Sequence, residues 1–368
     1  MVSTKSPHQP ILLMAGGTGG HVFPALAIAE ALRTQGFTVC WLGTRRGLEA
    51  RVVPDAEIDI KYISIEGIRG KGLFSVLAAP FKITLAIWQS VRVLRALRPA
   101  AVVGMGGFVT GPGGVAAWLL RIPLLIHEQN AVAGLTNRWL ARLASKVMEA
   151  FPDTFPKKCH AIYTGNPLRA NIMNLSPPVP VTVHDPWRVL IVGGSLGAKV
   201  LNDTVPLALR QVPGALEVWH QTGKIHIDAM QKAYDGAPFK ARVVAFIEDM
   251  AAAYAWADVV ICRAGAITVS ELAQVGVASI LVPYPYAVDD HQTSNAQFLS
   301  KKGAAILLPQ TDLTVEKLAA LMTELHNNPA RLQAMSAAAR NCATPGALQK
   351  VVDLVTAYSG KIEKNVSQ

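Results

Sequence analysis

The chain has 368 residues, 51% of them apolar and 16% charged, a balance that excludes intrinsic disorder and suits two domains that each bury a core. Its formal net charge of +10 raises the question of an anionic partner, and Cys40, Cys159, Cys262 and Cys342, with no CxxC spacing, exclude a disulfide framework and a zinc site. The longest uncharged run, Pro99 to Leu120, holds six glycines and two prolines, so it reads as strand, loop and helix and not as a membrane span.

The N-terminus, MVSTKSPHQP, lacks the regions of a signal peptide, and the expected location is the cytoplasm. An apolar run, Ile11 to Ala15, leads into GGTGG and then a helical pattern from Pro24 that stops at Gly36. Strand candidates follow at Phe37 to Leu42, Ile58 to Ile65, Ala101 to Gly104, Pro123 to His127 and Lys146 to Ala150, with helical stretches between most of them. Such alternation predicts a parallel sheet covered on both faces. Residues 1–173 form this first domain.

Residues 174–186 carry four prolines in NLSPPVPVTVHDP and read as a linker. The second domain, 187–342, repeats the logic with strands at Arg188 to Val192, Leu216 to His220, Arg242 to Phe246, Val259 to Cys262, Ser279 to Val282 and Ala304 to Leu308. Residues 343–368 supply a last helix, with Pro345 in its first turn and an end near Tyr358. The predicted class is α/β, two doubly wound Rossmann-like domains facing a central cleft.

The loop Gly16-Gly17-Thr18-Gly19-Gly20 opens a helix, where backbone N–H groups and the dipole favour a phosphate. Gly104-Met105-Gly106-Gly107 and Gly193-Gly194-Ser195 repeat the device. The dinucleotide fingerprint fails because Val22 stands at the third glycine and no ribose-binding acid follows Gly43-Thr44; a Walker loop is absent too. His21 is either a general base or a buried structural histidine. His127-Glu128-Gln129-Asn130 places four consecutive polar side chains at a strand end, which is hard to explain as core. In the second domain Arg263 to Glu271 joins strand to helix, and Glu271 is either a ribose ligand or an early-helix acid. Asp289 to Asn295 is rich in groups that bind sugar hydroxyls, and no Asp-x-Asp metal motif occurs.

Between Gly67 and His127 there is no acid, while Arg69, Lys71, Lys82, Arg92, Arg95, Arg98 and Arg121 fall in the interval. That field, with apolar neighbours, suits an anionic membrane better than a nucleic acid, and no nucleic-acid partner is expected. Within the helical pattern Leu73 to Arg98, Phe74, Leu77, Phe81, Leu85 and Trp88 share one stripe. That stripe is either the buried face of a helix packed on the first sheet or a membrane contact.

GGTGGHVFPALA, GMGGFVTGPGG, HEQNAVAGLTN, TGNPLR, VGGSLGAK and CRAGAITVSE, in this order, resemble the MurG family of UDP-N-acetylglucosamine:lipid I transferases of peptidoglycan synthesis, from about Ile11 to the last helix. The resemblance implies the GT-B fold, with lipid acceptor on the N-terminal domain, UDP-sugar on the C-terminal one, and a last helix returning to the first domain. It implies donor contacts from Ser195 to phosphate, the backbone near Ile247 to uracil, Ala266, Ile267, Thr268, Val269 and Ser270 to diphosphate, and Glu271 to ribose. Thr18, Gly19, Gly20, Asn130, Arg169 and Gln292 would complete the sugar and phosphate site. His21 is the candidate base and Glu128 an assisting or orienting carboxylate, with no metal and no organic cofactor. Where many family members are glutamine-rich this chain has His291-Gln292, which leaves open which of the two touches sugar.

The implied reaction is inverting transfer of N-acetylglucosamine to the C4 hydroxyl of the muramyl sugar of lipid I, at the cytoplasmic face of the bacterial inner membrane. Contacts with other cell-wall synthesis proteins belong to the same implication. A UDP-N-acetylglucosamine 2-epimerase and a non-catalytic UDP-sugar-binding membrane subunit are the alternatives. The basic, acid-free stretch argues against the first, and the presence of all the motifs in one chain argues against the second.

Overall fold

The computed structural model describes residues 9–66, 78–175 and 183–359. The chain divides into two compact units: unit 1 is Met1–Arg169 with Gly346–Gln368, and unit 2 is Ala170–Pro345.

Unit 1 runs β1 (Ile11–Ala15), α1 (Gly19–Thr34), β2 (Val39–Gly43), α2 (Glu49–Asp55), β3 (Asp59–Tyr62), α3 (Ala79–Leu97), β4 (Ala101–Gly106), α4 (Thr110–Leu119), β5 (Leu124–Glu128), α5 (Leu135–Leu140), β6 (Lys146–Glu149) and β7 (Ile162–Tyr163). The seven strands form one sheet in the order β3-β2-β1-β4-β5-β6-β7, every pair parallel. Alternation along β1 explains why both faces must be covered. Ile11, Leu13 and Ala15 enter a core with α1, while Leu12 and Met14 enter a second core with Leu94 of α3 and Ala116 and Ala117 of α4. Unit 1 is completed by a helix from the far end of the chain, Ala347–Ser359, whose Val351, Val352 and Val355 are fully buried in the α1 core. Lys350 Nζ of that helix donates to the Tyr163 carbonyl at 2.7 Å.

Unit 2 runs α6 (Ala170–Met173), β8 (Trp187–Val192), α7 (Lys199–Leu209), β9 (Leu216–Gln221), α8 (Ile227–Tyr234), β10 (Lys240–Val244), α9 (Met250–Trp256), β11 (Val259–Cys262), α10 (Ala266–Val275), β12 (Ala278–Leu281), α11 (His291–Ser300), β13 (Ala305–Leu307), α12 (Val315–His326) and α13 (Pro329–Asn341). The terminal helix Ala347–Ser359 is therefore α14. The six strands of unit 2 are all parallel in the order β10-β9-β8-β11-β12-β13.

In each sheet the strand order reverses once, between β1 and β4 and between β8 and β11. Loops diverge to opposite faces at such a point, and the carboxyl ends of the strands leave a crevice there. The glycine loops after β1 and β4, and those after β8 and β11, are the ones this topology places at the two crevices.

Several boundaries differ from the sequence reading. Helix α1 begins at Gly19, five residues before Pro24, because its first turn contains two glycines that carry no periodic signal. Pro345 precedes the last helix by two residues instead of sitting in its first turn, and the chain leaves unit 1 at Arg169 instead of at 173. The short strand β7 has no counterpart in the reading. Of the proposed stripe, Phe74 and Leu77 lie outside the described residues, as do Arg69 and Lys71.

Candidate active site

The loop Gly16 to Gly20 is held from beneath by a carboxylate. Glu49, at the start of α2 and fully buried, accepts the Gly17 N–H at 3.0 Å through Oε2. Its Oε1 accepts the Thr44 N–H at 2.9 Å and the Thr44 hydroxyl at 2.8 Å. A buried carboxylate is stable only when its oxygens are so occupied. One N–H that the sequence reading assigned to a phosphate is therefore used internally; Gly16 is buried, and Gly17, Thr18, Gly19 and Gly20 have solvent access.

The second glycine loop packs directly on the first. Gly107, at φ +82°, leaves no room for a side chain: a Cβ there would stand 2.3 Å from the Gly16 carbonyl oxygen. At Gly106, φ +114°, a Cβ would stand 2.7 Å from Cε1 of His21, so the imidazole rests against bare backbone. Thr110 fixes this turn by donating to the Gly106 carbonyl at 2.7 Å and accepting the Gly106 N–H at 3.1 Å. His21 is partly exposed, and its Nδ1 lies 2.7 Å from Gln129 Oε1. Gln129 Nε2 lies 3.0 Å from His127 Nδ1 and 3.1 Å from the His127 carbonyl, and His127 Nε2 lies 3.0 Å from the Gly165 carbonyl.

The run His127 to Asn130 corrects the expectation that these four side chains are too polar for an interior. His127, Glu128 and Gln129 are all buried and bonded within unit 1. Glu128 Oε1 accepts from the Asn130 N–H and Asn130 Nδ2, both at 3.0 Å; Oε2 accepts from the Gly134 N–H at 3.0 Å and Asn137 Nδ2 at 2.9 Å. Four donors occupy its lone pairs, so Glu128 orients the loop after β5 and is not disposed to take a proton from a substrate. Asn130 is partly accessible beside it, and the Arg169 guanidinium lies over the Phe23 ring at 5.6 Å.

In unit 2, Ser195 is exposed in the loop after β8, whose turn closes with the Gly197 N–H donating to the Gly194 carbonyl at 2.8 Å. Gln221 Nε2 braces it by donating to the Gly194 and Ala245 carbonyls at 2.9 and 3.1 Å. Ile247, just past β10, is buried. After β11, α10 begins at Ala266 behind Gly265, which has no side chain to accept from the first turn, the arrangement that favours an anion at a helix N-terminus. Ile267, Thr268 and Ser270 of that turn are partly exposed and Val269 is core. Glu271 is buried, and its Oε2 accepts the Tyr254 hydroxyl at 3.0 Å. Arg263 is tied down by donating to the Val282 and Pro283 carbonyls and to Gln310 Oε1. Gln292 Oε1 accepts the Tyr284 N–H at 2.9 Å, whereas His291 Nδ1 is bound 2.8 Å from the Val288 carbonyl.

Sequence reasoning missed Glu49, Tyr254 and the brace from Gln221. Glu49 was sought in the wrong form: an acid does follow β2, six residues past its end, but it serves the glycine loop. Among the described residues there is no cluster of three or more potential metal ligands.

A separate surface of unit 1 is apolar. Phe81 is 76% exposed and Trp88 53% exposed on α3, with Leu85 also exposed, so the described part of the stripe is not a buried face; Ala79, Ala86, Ser90 and Leu94 are. Trp118 and Leu119 are exposed on α4, which packs against α3. Lys82, Arg92, Arg95, Arg98 and Arg121 are exposed on the same elements or their ends, with the Arg92 guanidinium 4.8 Å from the Trp88 ring centroid.

Burial pushes the His127 pKa down to about 4, against the opposing pull of the Gly165 carbonyl and the Glu128 charge. Because the folded value lies below the ordinary 6.5, the unfolded chain takes up the proton first. The contribution to stability is complete above about pH 6.5 and is lost as pH falls towards 4, by about 3 kcal/mol. Denaturant titrations from pH 7 to 4.5 should show this loss, and His127→Gln should flatten it; equal pH dependence in both proteins would refute the assignment.

Residues 11–149 match the glycosyltransferase family 28 N-terminal domain and residues 188–355 its C-terminal domain. A Stutzerimonas stutzeri protein, named UDP-N-acetylglucosamine--N-acetylmuramyl-(pentapeptide) pyrophosphoryl-undecaprenol N-acetylglucosamine transferase, is 52% identical over 94% of this chain and 97% of its own. A protein of the same name from Alkalilimnicola ehrlichii is 54% identical over 93% of this chain and 97% of its own. The crystal structure of Acinetobacter baumannii MurG superposes with a TM-score of 0.81 at 47% identity, covering 95% of this chain and 99% of that one. With both domains matched in order and relatives above half identity over nearly its whole length, the chain belongs to glycosyltransferase family 28 and, within it, to the MurG family.

Proposed function

We propose that this chain transfers N-acetylglucosamine from its UDP ester to the C4 hydroxyl of the muramyl sugar of lipid I, forming lipid II with inversion at the anomeric carbon. The observation that carries the reading is His21, an accessible imidazole seated against two glycine loops at the crevice of unit 1, in a chain whose relatives are named for this transfer. The acceptor hydroxyl gives its proton to His21 as its oxygen attacks the anomeric carbon. The bond to UDP breaks with its electron pair staying on the diphosphate.

Unit 2 binds the donor in this account. Ser195 and the first turn of α10, Ala266 to Ser270, meet the diphosphate, so the developing charge is stabilised by backbone dipoles without a metal. Glu271, whose Oε2 accepts the Tyr254 hydroxyl, meets the ribose hydroxyls. The backbone at Ile247 reads uracil, and Gln292, whose Oε1 is held by the Tyr284 N–H, contacts the sugar through its amide NH2. In unit 1, Thr18, Gly19, Gly20, Asn130 and Arg169 supply sugar and phosphate contacts, with Glu128 as the residue that holds Asn130 in place.

The acceptor is lipid-linked, which requires the protein at a membrane surface. No helix among the described residues is long and apolar enough to cross one. Phe81, Leu85, Trp88, Trp118 and Leu119 offer inserting groups, and the five cations around them are each worth about 1 kcal/mol near anionic lipid. The enzyme then works as a peripheral protein on the cytoplasmic face of the inner membrane, where other cell-wall synthesis proteins are its natural neighbours.

Incubation of UDP-N-acetylglucosamine with a lipid-linked muramyl acceptor should give a disaccharide lipid and UDP. Epimerised donor made without acceptor, or donor binding with no turnover, would overturn the proposal. Replacing Phe81 and Trp88 by Ser, with Lys82 and Arg92 by Gln, should weaken sedimentation with anionic vesicles while leaving UDP affinity unchanged; sedimentation equal to the parent at every salt concentration would place the membrane contact elsewhere.

A further inference from the structure

The hydrogen-bond chain that ends on His21 has one consistent assignment of hydrogens, and it begins at two carbonyl oxygens. Gln129 Nε2 lies 3.1 Å from the His127 main-chain oxygen, which can only accept, so that end of the amide is the NH2 group. The other end is then the carbonyl, and Gln129 Oε1, 2.7 Å from His21 Nδ1, can only accept as well. His21 must therefore carry its hydrogen on Nδ1. A neutral imidazole has a single N–H, so the lone pair falls on Nε2.

The next residue along supports the same orientation. His127 Nε2 lies 3.0 Å from the Gly165 carbonyl and must donate to it, which leaves Nδ1 as the acceptor for the second hydrogen of the Gln129 NH2 at 3.0 Å. A doubly protonated His127 would set N–H against N–H at that contact, and full burial keeps the ring neutral. Gln129 itself is buried, and its main-chain carbonyl accepts from Asn166 Nδ2 at 3.1 Å, which holds the backbone from which the side chain extends; turning the amide over would set its oxygen against the His127 carbonyl.

We propose that Gln129 is a positioning residue that fixes the tautomer of His21, holding Nε2 unprotonated for the acceptor hydroxyl, with His127 and the Gly165 carbonyl fixing Gln129 in turn. The proposal rests on the reading of His21 as the base. A solvated imidazole exchanges between two tautomers, and one of them presents N–H where a lone pair is needed; the wrong tautomer of a catalytic histidine is costly. When the proton arrives on Nε2, the Nδ1–H bond to the amide oxygen persists and faces the new positive charge with a carbonyl dipole.

The tautomer is read directly by long-range 15N–1H correlation spectra of the 15N-histidine-labelled chain, with the His21 signals assigned by their loss in His21→Ala. The parent should show a protonated Nδ1 and a lone-pair Nε2; a protonated Nε2 would overturn the proposal. Gln129→Met, similar in length and without an acceptor, should give a mixture of tautomers. Its kcat should be lower by about 10- to 100-fold, with donor KM and UDP affinity unchanged. Parent-like amide spectra report that unit 1 of the variant is folded, and an unchanged kcat in that folded variant would overturn the proposal. If His21→Ala kept full turnover while the parent spectrum showed Nδ1–H, the base reading would fail and the tautomer assignment would stand.

Discussion

A parallel sheet leaves the carboxyl ends of its strands without ladder partners, and in unit 1 the loops that leave those ends are held by buried carboxylates, Glu149 at the loop after β6, and Glu49 and Glu128 at the loops after β1, β2 and β5. Glu49 takes the Gly17 and Thr44 N–H groups, and Glu128 takes those of Asn130 and Gly134 with the side-chain amides of Asn130 and Asn137. Each acid would be expensive to bury alone, and each becomes favourable because several donors need it. Removing either would leave multiple N–H groups without their partner in a partly buried site. The placement of His21 follows, since its ring rests on Gly106 and hydrogen-bonds to Gln129, the residue after Glu128.

Unit 2 uses the same topology with different chemistry. Its strand-end loops carry neutral backbone groups and the buried carboxylate of Glu271, which accepts the Tyr254 hydroxyl. A glycine-capped helix and an exposed serine loop suit a ligand that brings its own negative charge, whereas unit 1 presents an accessible imidazole, the base of the proposed mechanism. The chemical asymmetry between the units matches a reaction with an anionic leaving group on one substrate and a proton to remove from the other.

Most of the fold was legible because continuous apolar runs such as Ile11 to Ala15 and Val259 to Cys262 can only be strands buried on both faces, and glycines mark where they end. Long-range partners were not. Glu49 stands 32 residues from Gly17, and no local pattern says that its carboxylate turns under the loop. Glu128 read as chemistry because spacing shows a polar cluster and not what it bonds to. The stripe on α3 was undecidable for a related reason: periodicity gathers Phe81, Leu85 and Trp88 on one face, but only the packing of Ala86 and Leu94 inward shows that the face points to solvent. His291 and Gln292 bond to different backbone groups, the Val288 carbonyl and the Tyr284 N–H, and sequence contains neither contact.

The central claim is that His21 removes the proton of the acceptor hydroxyl. The pH dependence of kcat/KM for transfer, compared between the parent and His21→Ala at equal UDP affinity, tests it most directly. The account predicts an acid limb of unit slope in the parent that is absent from the much slower variant. The same limb in both proteins, or a variant as fast as the parent, would contradict it.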